Sequence, residues 1–132
     1  MPMNPKEFID VATNLGEKSN STEAEFRTAV GRLYYSLYHV TFRRLIQINE
    51  LERVPPYDSH SKVVSAVKQI KEGLGGKLDR LRMMRRQADY VLSLSDQEYR
   101  PEYGNWSKNY RDAKAIADNI CPHLEKLERK QG

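Results

Sequence analysis

A long helical pattern that begins at Thr22 and runs to about Ile48 limits the folds that this chain can adopt. Thr22 and Glu25 have the spacing of a capping box, in which two side chains satisfy free backbone groups at a helix start. At about 100° per residue, apolar and aromatic side chains cover most of the circumference of this helix. They are Phe26, Val30, Leu33, Tyr34, Leu37, Tyr38, Val40 and Leu45. Because a helix that is apolar on most sides must be buried by its neighbours, we expect it to lie within a helical bundle.

Helical spacing and turn residues predict further helices along the rest of the chain. We expect them from Pro5 to about Leu15, from Asp58 or Ser59 through Ile70 to the glycines that begin at Gly73, from Lys77 to about Leu94, and from about Ser107 to Arg129. Gly73 and the Gly75-Gly76 pair should end the third helix. Pro122 should kink or locally break the last one. The expected fold is all-α, a four-helix bundle with an additional helix, in a single domain over residues 1–132.

Composition and charge narrow the functional classes. Cys121 is the single cysteine, so no intrachain disulfide can form and a reducing, cytoplasmic setting is expected. The first residues lack a signal-peptide pattern, and no apolar run approaches the ~20 residues of a membrane span. The three histidines and Cys121 lack the spacing of a metal site, so we expect no metal and no cofactor. A net charge of +4 permits an anionic partner without requiring one.

A basic segment on the fourth expected helix concentrates the positive charge. Between Lys77 and Arg86 there are five basic residues and one acid, Asp79. The basic residues are Lys77, Arg80, Arg82, Arg85 and Arg86. Such a cluster is either a solvated helix face or a patch that neutralises phosphates and releases counterions from nucleic acid.

A narrow polar sector on the long helix is the candidate site. Its members, which fall within about 60° of one another, are Arg32, Ser36, His39 and Arg43, with Tyr35 at the edge. Six residues separate Arg32 from His39, so they lie nearly on one line, about 10.5 Å apart along the axis. The sector is either the exposed side of the helix or a site. In a site, an arginine binds phosphate oxygens and a histidine moves a proton, which are the minimum parts for metal-independent RNA cleavage.

Three segments of the chain resemble the HEPN-domain family. Residues 32–39, RLYYSLYH, are similar to its R-x-YY-x-x-[FY]-H segment. Residues 59–63, SHSKV, are similar to its S-H-x-x-V segment, and residues 81–90, LRMMRRQADY, to its L-x-x-x-R-x-x-A-D-Y segment. The order and rough spacing of the three also agree, and the likeness covers about residues 22 to 125.

The resemblance implies a HEPN-like helical bundle that is commonly a homodimer. It also implies a metal-independent endoribonuclease that acts as a toxin or defence component and leaves 2′,3′-cyclic phosphate ends on RNA. In such an enzyme His39 would be the general acid/base and Arg32 would stabilise the phosphate, in a cleft shared by two protomers. The residues expected to bind or support the RNA substrate are Tyr35, Ser36, Arg43, Arg82, Arg85, Arg86, His60 and Asp89. A minimal nucleotidyltransferase is the antitoxin partner of some family members.

Two departures from the family pattern keep a second hypothesis open. Leu33 follows Arg32 where catalytic members often have a polar residue, and Phe42 stands where some toxins have an adenylylated tyrosine. The alternative is a non-catalytic HEPN module that binds a nucleotidyltransferase partner or a nucleotide.

Three further side chains have alternative roles. Asp89 either orders a basic residue such as Arg85, four positions earlier, or holds Arg32 for phosphate. His60 is either a helix-start residue or a second nucleic-acid contact. Trp106 either fills the core or offers a stacking surface to unpaired bases.

Overall fold

The computed structural model describes residues 4–51, 59–90 and 105–129, and this part of the chain is helical without a strand. The helices are α1 (Glu7–Gly16), α2 (Glu23–Gln47), α3 (Ser59–Ile70), α4 (Glu72–Tyr90) and α5 (Trp106–Glu125). Helix α2 packs against each of the other four, so it is the centre of the bundle. The prediction of an all-α bundle of about five helices is confirmed. None of these helices combines the length and the apolar character that crossing a membrane requires.

Local sequence signals set both ends of α2. At its start the Thr22 hydroxyl accepts a hydrogen bond from the Glu25 N–H at 3.2 Å, and the Glu25 carboxylate accepts one from the Thr22 N–H at 3.0 Å. Just past its end Asn49 adopts a φ of 59°, in the left-handed region that Asn tolerates better than most residues. The capping box predicted at Thr22 and the end predicted near Ile48 are both confirmed.

The apolar surface predicted for α2 forms the middle of the core. Its buried members are Val30, Leu33, Tyr34, Leu37, Tyr38 and Leu45. Phe26 packs against this cluster while remaining partly accessible. The other helices complete the core with Ala12 of α1, Val63 and Val67 of α3, Leu78 and Leu81 of α4, and Tyr110 and Ile120 of α5.

The boundary between α3 and α4 differs from the prediction. Gly73, Gly75 and Gly76 do not end α3, because all three lie inside α4, which begins at Glu72 and not at Lys77. A Cβ atom on Gly75 would lie 2.7 Å from the backbone nitrogen of Lys68 in α3. Glycine therefore serves here to let two helices approach closely at a sharp turn, not to stop the first one. The predicted end of α4 near Leu94 lies outside the described residues.

Helix α5 begins one residue earlier than predicted and ends four residues earlier. The Asn105 side chain caps its start by accepting a hydrogen bond from the Lys108 N–H at 3.0 Å. The helix continues through Pro122 as far as Glu125, so the proline does not break it at its own position. Trp106 is only 3% exposed, which makes it a core residue and excludes the base-stacking alternative for its ring.

Candidate functional site

The side chains of Arg32 and His39 extend from α2 into solvent beside one aromatic ring. Both residues are exposed. The Phe8 ring of α1 stacks on the His39 ring with centroids 6.5 Å apart, and the Arg32 guanidinium carbon lies 5.7 Å from the same Phe8 centroid. The first helix thus supplies a ring that borders both members of the pair. The sequence placed Phe8 on the apolar face of α1, and nothing in its spacing marked it as a neighbour of the site.

A layer of tyrosines on α2 connects His39 to His60 of α3. The Tyr35 ring stacks on His39 at 6.4 Å and meets His60 edge-on at 6.2 Å. The Tyr38 ring meets His39 edge-on at 5.0 Å and stacks on His60 at 4.2 Å. Beneath them, the Tyr34 hydroxyl lies 2.6 Å from Nδ1 of His60. The structure therefore brings two imidazoles from different helices onto the same pair of tyrosine rings.

Helix α4 closes the other side of the site through Arg85. This guanidinium donates a hydrogen bond to the Tyr35 hydroxyl at 2.5 Å, and its carbon lies 4.9 Å above the Tyr35 ring. Its Nε atom lies 3.0 Å from a carboxylate oxygen of Asp89. Of the two roles open for Asp89, the structure shows the ordering of Arg85. Arg32 and Asp89 share a cavity of about 220 Å³, but no ion pair joins them in the described part of the chain.

The environment lowers the pKa of both imidazoles below the ordinary value of 6.5. For His39 the main cause is partial burial, and the second is the positive charge of Arg43. For His60 burial is again the largest cause, followed by the charges of Arg85 and Arg82 and then by His39. Both rings are consequently neutral at neutral pH, the form that can accept a proton.

Ser36 is a correction to the predicted site. The sector geometry placed it beside Arg32 and His39, yet Ser36 is completely buried. Its hydroxyl has no hydrogen-bond partner among the described residues. Arginine and histidine side chains are long enough to leave a packed helix surface, whereas the serine hydroxyl stays at the level of the packing. Ser36 is therefore not accessible to a substrate at this surface.

The basic segment of α4 is divided by the fold. Arg82 and Arg85 are half-buried and close enough to His60 to affect its pKa, whereas Arg86 is exposed. The Nη1 atom of Arg82 also lies 3.8 Å from a carboxylate oxygen of Asp79, one turn earlier on α4. Of the two alternatives for this segment, a solvated helix face fits Arg86. A patch that neutralises phosphates fits Arg82 and Arg85, which lie nearer to His60.

The remaining reactive groups offer no second centre of chemistry. Burial raises the pKa of the Cys121 thiol to about 11, so the thiol is protonated at neutral pH and is a poor nucleophile. Across residues 4–51, 59–90 and 105–129, no three His, Cys, Asp or Glu side chains come together in a way that could hold a metal ion.

Comparisons with known proteins identify no relative of this chain. No family model, no curated protein and no solved structure matches the chain. The likeness to HEPN proteins consequently depends on the three sequence segments, and the chemistry has to be inferred from the site itself.

Proposed function

We propose that this protein is a HEPN-type, metal-independent endoribonuclease in which His39 is the general acid/base and Arg32 stabilises the phosphate. The observation that supports this most directly is the exposure of both side chains beside the single ring of Phe8. A proton-transfer group and a guanidinium on one accessible surface are what a reacting phosphodiester needs.

The proposed reaction requires the side chains of His39 and Arg32 and proton exchange with solvent. Neutral His39 takes the proton from a ribose 2′-hydroxyl, and the resulting oxygen attacks the adjacent phosphorus. Arg32 stabilises the negative charge that builds on the nonbridging phosphate oxygens. The bond from phosphorus to the 5′-oxygen breaks, the 5′-oxygen takes a proton from solvent, and the imidazolium of His39 returns its proton to solvent. The products are a 2′,3′-cyclic phosphate and a 5′-hydroxyl.

The charge around the pair supports RNA as the substrate. Arg43 lies near His39 on α2, and Arg82 and Arg85 of α4 lie near His60. Several cations beside an exposed site attract a polyanionic backbone and release its counterions. The same charges help to keep the pKa of each imidazole low, so the attraction for RNA and the readiness of His39 to act as a base have a common source.

The wider biological role in this proposal comes from the HEPN resemblance. The active form is a homodimer, because a two-fold axis next to α2 would place two copies of Arg32 and His39 in one cleft. The protein acts in the cytoplasm as a toxin or defence component, and a minimal nucleotidyltransferase is the partner that restrains it.

The test is cleavage of mixed RNA by purified protein in excess EDTA, with the variants His39→Ala and Arg32→Ala. A matched control is His123→Ala, which removes another exposed histidine, on α5. Wild type and control should leave 2′,3′-cyclic phosphate ends, and the two site variants should be slower by roughly 100-fold or more. Equal cleavage by all four proteins would overturn the proposed site.

One observation favours a second candidate, a non-catalytic module that binds a nucleotidyltransferase or a nucleotide. Leu33, directly after Arg32, is completely buried in the core, so α2 cannot present a polar group there. If wild-type protein cleaves no RNA in the EDTA experiment, this candidate replaces the ribonuclease. Binding of a nucleotidyltransferase or of nucleotides to the same surface then becomes the measurement of interest.

A further inference from the structure

His60 is a second imidazole that the proposed cleavage reaction does not use. It comes from α3, yet it contacts the same two tyrosine rings as His39, at 4.2 Å from Tyr38 and 6.2 Å from Tyr35. It is half-buried, so the residue remains partly accessible to solvent. A histidine that only filled space at a helix start would not require contacts with two tyrosine rings of another helix.

Tyr34 determines which nitrogen of His60 carries the proton. The Tyr34 side chain is only 1% exposed, and burial raises its pKa well above the usual range, so the hydroxyl keeps its proton. Among the described residues this buried hydroxyl has no hydrogen-bond partner other than Nδ1 of His60, 2.6 Å away, and a hydroxyl that did not donate to Nδ1 would leave its own proton without an acceptor. We therefore assign the Tyr34 O–H as the donor and Nδ1 of the neutral His60 ring as the acceptor. With this assignment, the proton of the neutral ring is on Nε2. Nδ1 is occupied, and Nε2–H is a donor with no partner among the described residues.

The surroundings of this donor favour an anion. Among the described residues, the permanently charged groups that act on His60 are the guanidiniums of Arg85 and Arg82. One face of the ring is covered by Tyr38, which leaves less room for a stacked base than for a hydrogen bond along the ring edge. A neutral N–H donor next to two cations is an arrangement that binds a phosphate oxygen.

We propose that His60 is a phosphate-binding residue of the RNA site, and that its Nε2–H contacts the phosphate next to the scissile one. The inference depends on the proposed function, because it assigns a second subsite to the same RNA. Tyr34 is a positioning residue in this arrangement, since it acts only through the tautomer of His60. Arg82 and Arg85 supply charge, and His60 supplies a directed hydrogen bond.

The test is binding of a fluorescent 2′-O-methyl RNA oligonucleotide, which has no free 2′-hydroxyl and is not cleaved. His60→Phe keeps a ring against Tyr38 and removes the donor, whereas His60→Gln places an amide N–H near the position of Nε2. We expect His60→Phe to weaken binding by about 10-fold or more, because a hydrogen bond to a charged group is lost. His60→Gln should stay within about threefold of wild type. His123→Phe is the surface control, and thermal unfolding verifies that each variant is folded.

The outcomes separate this inference from the ribonuclease proposal. Binding by His60→Phe equal to wild type would overturn the phosphate contact, and so would a folded His60→Gln that binds as weakly as His60→Phe. If binding depends on His60 while natural RNA is not cleaved, the phosphate subsite stands and the ribonuclease proposal fails. If wild type does not bind the oligonucleotide at all, the phosphate contact is overturned, and the ribonuclease proposal is decided by the cleavage experiment in EDTA.

Discussion

Two arginines on α2, five residues apart, have opposite surroundings. Arg27 is only 8% exposed, its Nε donates to the Ala88 carbonyl at 2.8 Å, and its guanidinium carbon lies 4.9 Å from the Trp106 ring. Arg32 is exposed, and the contact that the structure gives its guanidinium is the ring of Phe8. Within the described residues, the guanidinium donors of Arg27 have protein partners, whereas those of Arg32 have none.

The surroundings of Arg27 show what a structural arginine does in this fold. Besides Ala88, it donates to the Gln87 carbonyl at 3.3 Å and pairs with Glu23 at 3.2 Å. Arg27 therefore joins α2 to the last described turn of α4, at the same level as Trp106 of α5. The comparison indicates that the number of satisfied donors, not charge or helix position alone, separates the structural arginine from the candidate functional one.

Replacing each arginine by alanine should give reciprocal results, which is the strongest test of this comparison. Arg32→Ala should lower RNA cleavage by roughly 100-fold or more and change the unfolding free energy by no more than about 0.5 kcal/mol. Arg27→Ala should lower the unfolding free energy by about 1–3 kcal/mol, because the buried Arg27 side chain loses its hydrogen bonds to the Ala88 and Gln87 carbonyls. Urea denaturation and RNA cleavage of the two purified variants provide the measurements. A stability loss in Arg32→Ala as large as that in Arg27→Ala would contradict the division.

The sequence could have predicted part of this difference. Arg27 precedes Tyr34 by seven residues, so the two share a line on α2, and Tyr34 belongs to the apolar surface. A charged residue on that surface indicates a buried ion with partners. Its partners could not be predicted, because the carbonyls of Gln87 and Ala88 are 60 and 61 residues away. The candidate pair Arg32 and His39 followed from spacing because both depend on a single helix.

The fold shows the same difference between features that local sequence determines and features that distant contacts determine. The start of α2 was predictable because Thr22 and Glu25 form a local motif whose two hydrogen bonds need no other part of the chain. The start of α4 was mispredicted because the role of Gly75 is set by its approach to Lys68 of α3, and glycine is also the usual residue at helix ends. His60 was linked to the site by a resemblance alone, since its contacts with tyrosines of α2 arise only when α3 packs on α2.

Ser36 sharpens the comparison with a smaller effect. It shares the helical sector of Arg32 but is buried with an unpartnered hydroxyl. Ser36→Ala should therefore leave RNA cleavage unchanged. The unfolding free energy should stay the same or rise by as much as about 1 kcal/mol, because the variant removes an unsatisfied buried hydroxyl. Thr41→Val is the matched control: its buried hydroxyl donates to the Leu37 carbonyl at 2.6 Å, so the variant should lose about 1 kcal/mol. A cleavage defect in folded Ser36→Ala would restore Ser36 to the substrate site.

The pH dependence of stability extends the comparison from arginines to histidines. Arg43 faces His39, and Arg85, Arg82 and His39 act on His60. Each of these neighbours opposes a proton on the imidazole, as does the partial burial of both rings. The exposed side of α2 is therefore a place where the folded protein tolerates a neutral histidine better than a charged one.

Stability should fall as the pH drops through about 6.5, and the two site histidines should account for part of the fall. Because their folded pKa values are lowered, the unfolded chain binds more protons than the folded one in this window, and protonation favours unfolding. The loss of stability that His39 and His60 cause is complete once the pH is below their folded pKa values. Urea denaturation at pH 7.5 and pH 5 should show a smaller loss for His39→Gln/His60→Gln than for wild type, with His123→Gln equal to wild type. If the double variant loses as much stability between pH 7.5 and pH 5 as wild type, protonation of His39 and His60 does not destabilise the folded protein, and this prediction is wrong.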